Sequence, residues 1–127
     1  MQGNNLLEYA VIRVMPKVKR EEFFNVGVIL YCPGKKFLQA IYDINEARLP
    51  TFCSKVDIAE LGEYLQAFEK ICIGGGDSGP IGKLPIAERF RWLTATRSTI
   101  VQTSKVHPGF CDDPYEMLMK LHQQLVL

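Results

Sequence analysis

The chain has 127 residues, nearly half of them apolar, and its 15 basic and 14 acidic side chains leave a formal net charge of +1. A chain of this length and composition is expected to fold as a single domain over 1–127, with a core that requires neither disulfides nor metal. The near-neutral charge argues against nucleic acid or an anionic membrane as the partner.

The first third of the sequence predicts three strands, over residues 9–16, 23–31 and 36–42. Each is rich in β-branched and aromatic residues, and prolines or charged turns separate them. The short Pro33-Gly34 connection favours an antiparallel hairpin between the second and third strands. The most continuous apolar face of the second strand is expected to pack against helices, and it comprises Phe24, Val26, Val28 and Leu30.

The middle of the sequence predicts two helices joined by a glycine-rich loop. The first covers 57–72, where Asp57 is a suitable N-cap for a helical apolar stripe. The stripe comprises Ile58, Leu61, Leu65, Phe68 and Cys72. The loop over 74–83 is expected to be exposed, and Pro85 begins a shorter helix that ends near residue 95.

The last quarter of the sequence predicts one more strand and a final helix. Residues 99–106 alternate as a strand does, and residues 107–109 are expected to form a turn. Asp113 and Pro114 are typical of a helix start. The inner stripe of this helix is predicted to comprise Leu118, Leu121 and Leu125. The order of elements predicts an α+β fold, an antiparallel sheet of about four strands with helices packed on one face.

The familiar catalytic and cofactor motifs are missing from the sequence. The four cysteines are widely spaced and match no zinc motif, so they are interpreted as reduced thiols of a cytoplasmic protein. The glycines over 74–79 have dinucleotide spacing, but they follow a helix, whereas the dinucleotide motif joins a strand to a helix. We therefore expect no metal, no cofactor, no membrane anchor and no identifiable catalytic residue.

Two polar residues interrupt the apolar strands near the start of the chain. Arg13 lies inside the first predicted strand, and Asn25 lies inside the second. Burying either group without a partner would cost several kcal/mol. They are therefore expected to face solvent, to pair with each other or with an acid such as Glu22, or to line a binding site.

A second polar cluster lies in the segment RFRWLTATRSTIVQTSKVHPG, residues 89–109. Its cationic and hydroxyl side chains lie beside a strand that must be partly buried, an arrangement typical of anion and amide binding. Ser98 and His107 have the chemistry of a nucleophile and its base, but no nucleophile elbow is present, which favours turn residues. The full candidate set is Arg13, Glu22, Asn25, Arg91, Arg97, Ser98, Thr99, Gln102 and His107.

Arg97 is expected to connect the two clusters. It follows the second predicted helix, and its guanidinium presents five donors in a fixed fork. We expect it to bond backbone carbonyls or the Glu22 carboxylate, with Asn25 and Gln102 close by.

Two long stretches of the sequence resemble the bacterial family called domain of unknown function 3037. They are YAVIRVMPKVKREEFFNVGVILYC, residues 9–32, and the segment 89–109. Both stretches are ungapped, and they lie near the two ends of the domain. The chain departs from the family at Thr96, where members commonly have proline, and at Pro108, where they commonly have threonine.

The resemblance implies no assigned activity. Members are similar to small proteins encoded beside genes for HipA-like Ser/Thr kinases, which implies a partner or antidote role. The expected function is therefore a non-catalytic binding or regulatory module, with a HipA-like kinase as the suspected protein partner by family resemblance only. The alternative is a small enzyme for a phosphate-bearing substrate, in which Arg13, Arg91 and Arg97 bind the anion, His107 acts as acid or base and Glu22 orients it.

Overall fold

The computed structural model describes residues 5–14, 24–44, 58–95 and 101–127. Its strands are β1 (Asn5–Val14), β2 (Phe24–Cys32), β3 (Phe37–Tyr42), β4 (Val101–Thr103) and β5 (His107–Cys111). Its helices are α1 (Ile58–Ile73), the short α2 (Gly79–Gly82), α3 (Ile86–Leu93) and α4 (Pro114–Leu125), and 3₁₀ turns occupy Pro33–Lys35 and Gly76–Ser78. No helix within these ranges is long and apolar enough to cross a lipid bilayer.

All strand pairs are antiparallel, which confirms the predicted α+β fold with an antiparallel sheet. The strand order is β3-β2-β1-β4, and β5 also pairs with β1. β1 carries two partners on one edge, since β5 pairs along Asn5–Tyr9 and β4 pairs along Ile12–Val14. This shared edge accounts for a fifth strand where about four were predicted, and for the early start of β1.

Ser104 completes the ladder between the two partners of that edge. Its backbone N–H donates to Val11 O at 2.9 Å, and its Oγ accepts from the Val11 N–H at 2.9 Å. The buried hydroxyl therefore replaces the carbonyl that a continuous strand would offer to Val11.

The sheet buries apolar side chains on both of its faces. α1 and α3 pack on one of them, here called the α1/α3 face, whose strand residues include Ala10, Ile12 and Leu38. α4 packs on the opposite face, here called the α4 face, whose strand residues include Leu7, Val28 and Leu30. The first two long helices cover one face as predicted. The prediction that all helices pack on one face is wrong, because α4 packs on the opposite face. Strand residues that point to both sides of the sheet are apolar, so both faces bury their side chains against helices.

A β-bulge in β2 divides the apolar face that was predicted to be continuous. Arg13 pairs with Asn25 and the preceding residue of β1 pairs with Gly27, so Val26 is an extra residue in β2. Val26 is fully buried on the α1/α3 face, whereas Val28 lies on the α4 face. The prediction that Val26 and Val28 share one face is wrong, because the bulge reverses the alternation between them.

Gly27 is required beside the bulge because β3 approaches it closely. A Cβ on Gly27 would collide with Ile41 O and would lie 2.9 Å from the Cβ of Tyr42. Any larger residue would have to push β3 away from β2, so the glycine fixes the spacing of these strands at the bulge.

The segment predicted as a turn at 107–109 is the beginning of β5, so that prediction is wrong. β5 lies at the edge of the described sheet, where a proline that lacks an N–H is tolerated. Gly109 lies opposite Leu7, and a Cβ on the glycine would come within 3.4 Å of Leu7 Cδ1. The glycine therefore leaves room for Leu7, a buried residue of the α4 face.

α4 begins as predicted but buries a different stripe. The Asp113 carboxylate accepts from the N–H groups of Tyr115 and Glu116 at 2.9 and 3.3 Å, and Pro114 follows the cap. Leu118 is buried and Leu121 is partly buried against the same cluster, as predicted, but Leu125 is 37% exposed, while His122 and Val126 are buried. The buried residues recur every four positions, so the stripe passes through a histidine that apolarity alone would not select.

α1 buries the stripe that the sequence predicts, and an arginine from α3 holds its end. Leu61, Leu65, Phe68 and Cys72 are buried, whereas the predicted cap Asp57 and the side chain of Ile58 lie outside the described residues. Arg89 Nη1 donates to the carbonyls of Ile71 and Cys72 at 3.0 and 2.9 Å, and Arg89 Nε donates to Leu84 O at 3.0 Å. One side chain thus satisfies carbonyls at the end of α1 and fixes the glycine-rich connection to α3.

Candidate functional site

Two polar residues predicted near the start of the chain, Arg13 and Asn25, lie in one row with Gln102 across three strands. Asn25 of β2 and Gln102 of β4 are the two register partners of Arg13 on β1. The bulge at Val26 produces this arrangement, because it brings Asn25 opposite Arg13 and sends Val26 into the core behind. The residues Asn25, Arg13 and Gln102 are called the polar row below.

The end of α4 lies against the polar row. Asn25 Nδ2 donates to Leu125 O at 3.1 Å, which satisfies one of the carbonyls that a helix leaves unpaired at its C-terminus. Asn25 Oδ1 is buried and has no hydrogen-bond partner among the residues that the structure describes. The amide therefore fixes the end of α4 through one atom and offers an acceptor through the other.

His122 is a buried histidine in the same helical turn, and sequence reasoning did not select it. It is 7% exposed, and its Nδ1 has no hydrogen-bond partner within the described ranges. Burial lowers the pKa of His122 below its ordinary value of 6.5, and the carboxylate of Asp43 opposes part of that change. The imidazole is therefore neutral at pH 7. Its position four residues after Leu118 was the available signal.

The remaining candidates do not join this row. His107 lies opposite Tyr9, with the two ring centroids 5.3 Å apart. Tyr9 is four residues from Arg13 along β1, a separation of about 13 Å in a strand. Arg91 is exposed on α3, which covers the other face of the sheet. Arg13, Arg91 and His107 thus point into three different surroundings.

Four of the candidate residues lie outside the described residues, namely Glu22, Arg97, Ser98 and Thr99. The expected contacts of Arg97 therefore stay a prediction. The described residues on either side of the segment that holds Arg97, Ser98 and Thr99 are Ala95 and Val101, and both line the cavity described next.

An apolar groove of about 250 Å³ lies between α1, α3 and β4. α1 contributes Tyr64, Ala67, Phe68 and Ile71; Trp92, Leu93 and Ala95 come from α3 and its end; Val101, Gln102 and Thr103 come from β4. Tyr64 and Trp92 remain 42% and 39% exposed, so two aromatic rings stand at the opening. This set is called the aromatic groove below.

The end of α3 is fixed to β4 beside the aromatic groove. The exposed Arg91 directly precedes the groove residue Trp92 in the chain. Thr103 Oγ1 donates to Thr94 O at 3.3 Å and ties β4 to the end of α3. Gln102 belongs to both the groove and the polar row, because β4 lies between them.

The described cysteines have little nucleophilic character. Cys32, Cys72 and Cys111 are free and buried, and Cys53 lies outside the described residues. Burial raises the pKa of Cys72 to about 12 and that of Cys111 to about 11, so both remain protonated thiols at pH 7. In the described part of the chain, no three His, Cys, Asp or Glu side chains are grouped to hold a metal ion. The described geometry therefore offers contact surfaces and amide hydrogen bonds.

Comparison with known proteins identifies one family. The profile described as "Protein of unknown function (DUF3037)" matches residues 9–126, nearly the whole chain. No curated protein and no solved structure matches the chain.

Proposed function

The chain belongs to the DUF3037 family, and from that premise we propose that it is a non-catalytic binding module whose partner is a protein. The observation that carries the proposal is the aromatic groove. Tryptophan and tyrosine dominate the energetics of protein interfaces, and here Trp92 and Tyr64 stand half-exposed at the opening of an apolar cavity.

The size of the groove favours a protein segment over a small molecule. Its volume of about 250 Å³ lies below the roughly 300–1,000 Å³ of most small-molecule sites. It has room for one large apolar side chain of a partner, or two small ones. The exposed Arg91 next to Trp92 in the chain favours a partner segment that carries negative charge.

A HipA-like kinase is the candidate partner that family resemblance supplies, and binding would regulate that kinase. A cytoplasmic location is part of the same proposal and is supported by the free cysteines Cys32, Cys72 and Cys111. The alternative of an enzyme for phosphate-bearing substrates requires Arg13, Arg91, Arg97, His107 and Glu22 in one pocket. Arg13, Arg91 and His107 have separate positions, and Arg97 and Glu22 lie outside the described residues, so the geometry lends this alternative less support.

Direct titration of the purified chain with a purified HipA-like kinase from the same genome tests the proposal. Isothermal calorimetry should detect a one-to-one complex. Trp92→Ala should weaken it about 30-fold, the effect of a hot-spot residue worth about 2 kcal/mol. Arg91→Glu should weaken it modestly, mainly by slowing association with a negatively charged partner segment.

Tyr115→Ala provides the matched control, because Tyr115 is a similarly exposed aromatic residue on α4, away from the groove. Its affinity for the kinase should equal that of the original chain. A chain that shows no heat of binding to the kinase contradicts the choice of partner. A complex that Trp92→Ala leaves unchanged contradicts the choice of surface.

A further inference from the structure

An exposed apolar pair lies at the opposite end of β1 from the aromatic groove. Leu6 of β1 and Phe110 of β5 are register partners, and each is 51% exposed. Their chain neighbours Leu7 and Cys111 point into the core beneath α4. Because strand residues alternate, Leu6 and Phe110 lie on the α1/α3 face, at an end that neither helix covers.

Two prolines extend this pair. Pro108 is exposed, lies two residues before Phe110 and pairs with Glu8. Pro33 is exposed and begins the 3₁₀ turn that contacts β1. The residues Leu6, Phe110, Pro108 and Pro33 are called the Leu6 patch below. Adjacent exposed apolar side chains of this kind mark an interaction surface more often than isolated ones do.

Opposite charges flank the Leu6 patch. Lys35 and Lys36 are exposed on the turn that follows Pro33. Asp112 is exposed at the end of β5, where its carbonyl accepts from Asn5 Nδ2 at 3.2 Å. The patch is therefore basic on the β2–β3 side and acidic on the β5 side, and the half-buried Glu8 lies on the same face beside Leu6 and Pro108.

We propose that the Leu6 patch is the contact surface between two copies of this chain. A twofold axis across the patch packs Phe110 against the Leu6 and Phe110 of the second copy. The same rotation brings the basic side of each copy against the acidic side of the other. A surface with an apolar centre and oppositely charged flanks is self-complementary in this way, as a twofold interface requires.

The expected dimer is weak. Stable interfaces bury about 800 Å² on each partner, and a patch built on four apolar residues is smaller. The dimer should therefore form over the concentration range of about 10 µM to 1 mM. The aromatic groove stays open in the dimer, because it is built beside β4 at the other end of β1.

Sedimentation of the full chain across that concentration range tests the proposal. The original chain should pass from monomer to dimer, and Phe110→Asp should remain monomeric throughout. Tyr115→Asp is the matched control, since Tyr115 is a 50% exposed aromatic residue outside the patch, and it should dimerise normally. Thermal melts should show all of these variants folded, because the substituted side chains are half-exposed.

Charge reversal gives a second, independent test. Lys35→Glu with Lys36→Glu should weaken the dimer at least tenfold, because acidic flanks then face each other. Adding Asp112→Lys to that pair should restore it. A chain that stays monomeric up to 1 mM overturns the proposal, and so does a dimer that Phe110→Asp leaves intact. Failure of the charge restoration overturns the proposed twofold arrangement.

Discussion

The two faces of the sheet are built on different principles. On the α1/α3 face the buried cluster is apolar, and the strong polar group at its margin, Arg89, donates to three backbone carbonyls. On the α4 face an apolar cluster gives way, toward the end of the helix, to the polar row and His122. The α1/α3 face is held mainly by apolar packing, whereas the end of α4 on the α4 face is held by a side-chain hydrogen bond.

This difference teaches where the fold has freedom to change. Apolar packing depends on volume and gives way gradually, whereas buried polar groups must be matched individually. The end of α4 is held by Asn25 at Leu125 O, next to buried polar atoms for which the described residues provide no bond. We therefore expect the α1/α3 face to set the global stability and the end of α4 to open first.

The largest effect should come from a core residue of the α1/α3 face. Phe90 is 2% exposed, and its ring centroid lies 5.3 Å from the ring centroid of Tyr31. Phe90→Ala should lower the free energy of unfolding by about 3–5 kcal/mol, because it creates a cavity in a packed layer. Urea unfolding measures this loss. Trp92→Ala on the same helix should cost about 1 kcal/mol or less, and equal losses for the two variants would contradict the assigned burial.

Arg89 tests whether the margin of that face is held by one side chain. Arg89→Ala should cost about 2–3 kcal/mol, because partly buried carbonyls at the end of α1 lose charged donors. Arg89→Lys should recover little of the loss, since lysine cannot bond three carbonyls with a planar fork. Arg91→Ala, the exposed neighbour, should change stability by about 0.5 kcal/mol or less. Comparable melts for the two alanine variants would show that the fork is dispensable.

The bulge should be sensitive to a single methyl group. Gly27→Ala should cost about 1–3 kcal/mol, because the new Cβ collides with Ile41 O on β3. Gly62→Ala is the matched control, since a Cβ at Gly62 in α1 meets nothing within 4 Å. That control should gain about 0.5–1 kcal/mol from better helix propensity. Chemical denaturation of both variants decides the point, and a stabilising Gly27→Ala would refute the close approach of β3.

Removing the amide at the end of α4 should have a smaller and more local effect. Asn25→Ala should cost about 1 kcal/mol, because Leu125 O loses its donor. Hydrogen exchange should accelerate at the N–H groups of Val126 and Leu127, which bond His122 O. Exchange in α1 should stay unchanged. Uniform acceleration throughout the chain would mean that the two faces do not open separately.

The smallest effect concerns pH. Above its ordinary pKa of 6.5, His122 is neutral in the folded and the unfolded chain and adds nothing to the pH dependence. As the pH falls below 6.5 toward the lower folded-state pKa, the unfolded chain takes up the proton first, so the free energy of unfolding falls. Urea titrations at pH 8 and pH 5 should show this loss in His107→Gln, and a smaller loss in His122→Gln. Equal pH dependence in both variants would contradict the burial of His122.

Elements with a local cause were predictable from the sequence. The β2–β3 hairpin follows from its short proline-glycine connection, and the start of α4 follows from Asp113 and Pro114. The buried stripe of α1 follows from helical spacing. In each case, residues close together in the chain decide the outcome.

Features that depend on distant partners were not predictable. The bulge at Val26 depends on the close approach of β3 to Gly27. β5 includes Pro108 because this segment pairs with the first half of β1, which is distant in sequence. Arg13 and Asn25 were selected for their polarity and Gln102 was expected near Arg97, and only the register places these three side by side. His122 was not selected as a site residue because a histidine on a terminal helix is commonly a surface or helix-packing residue.

Pro108 has a consequence for how the protein behaves at high concentration. An edge strand offers unpaired N–H and C=O groups to any passing chain, and repeated addition of strands in this way produces fibrils. In β5 the proline has no N–H to offer and the neighbouring Gly109 carries no side chain to align. This end of the sheet is therefore a poor template for fibril growth, even though Phe110 keeps a half-exposed aromatic ring on the same strand.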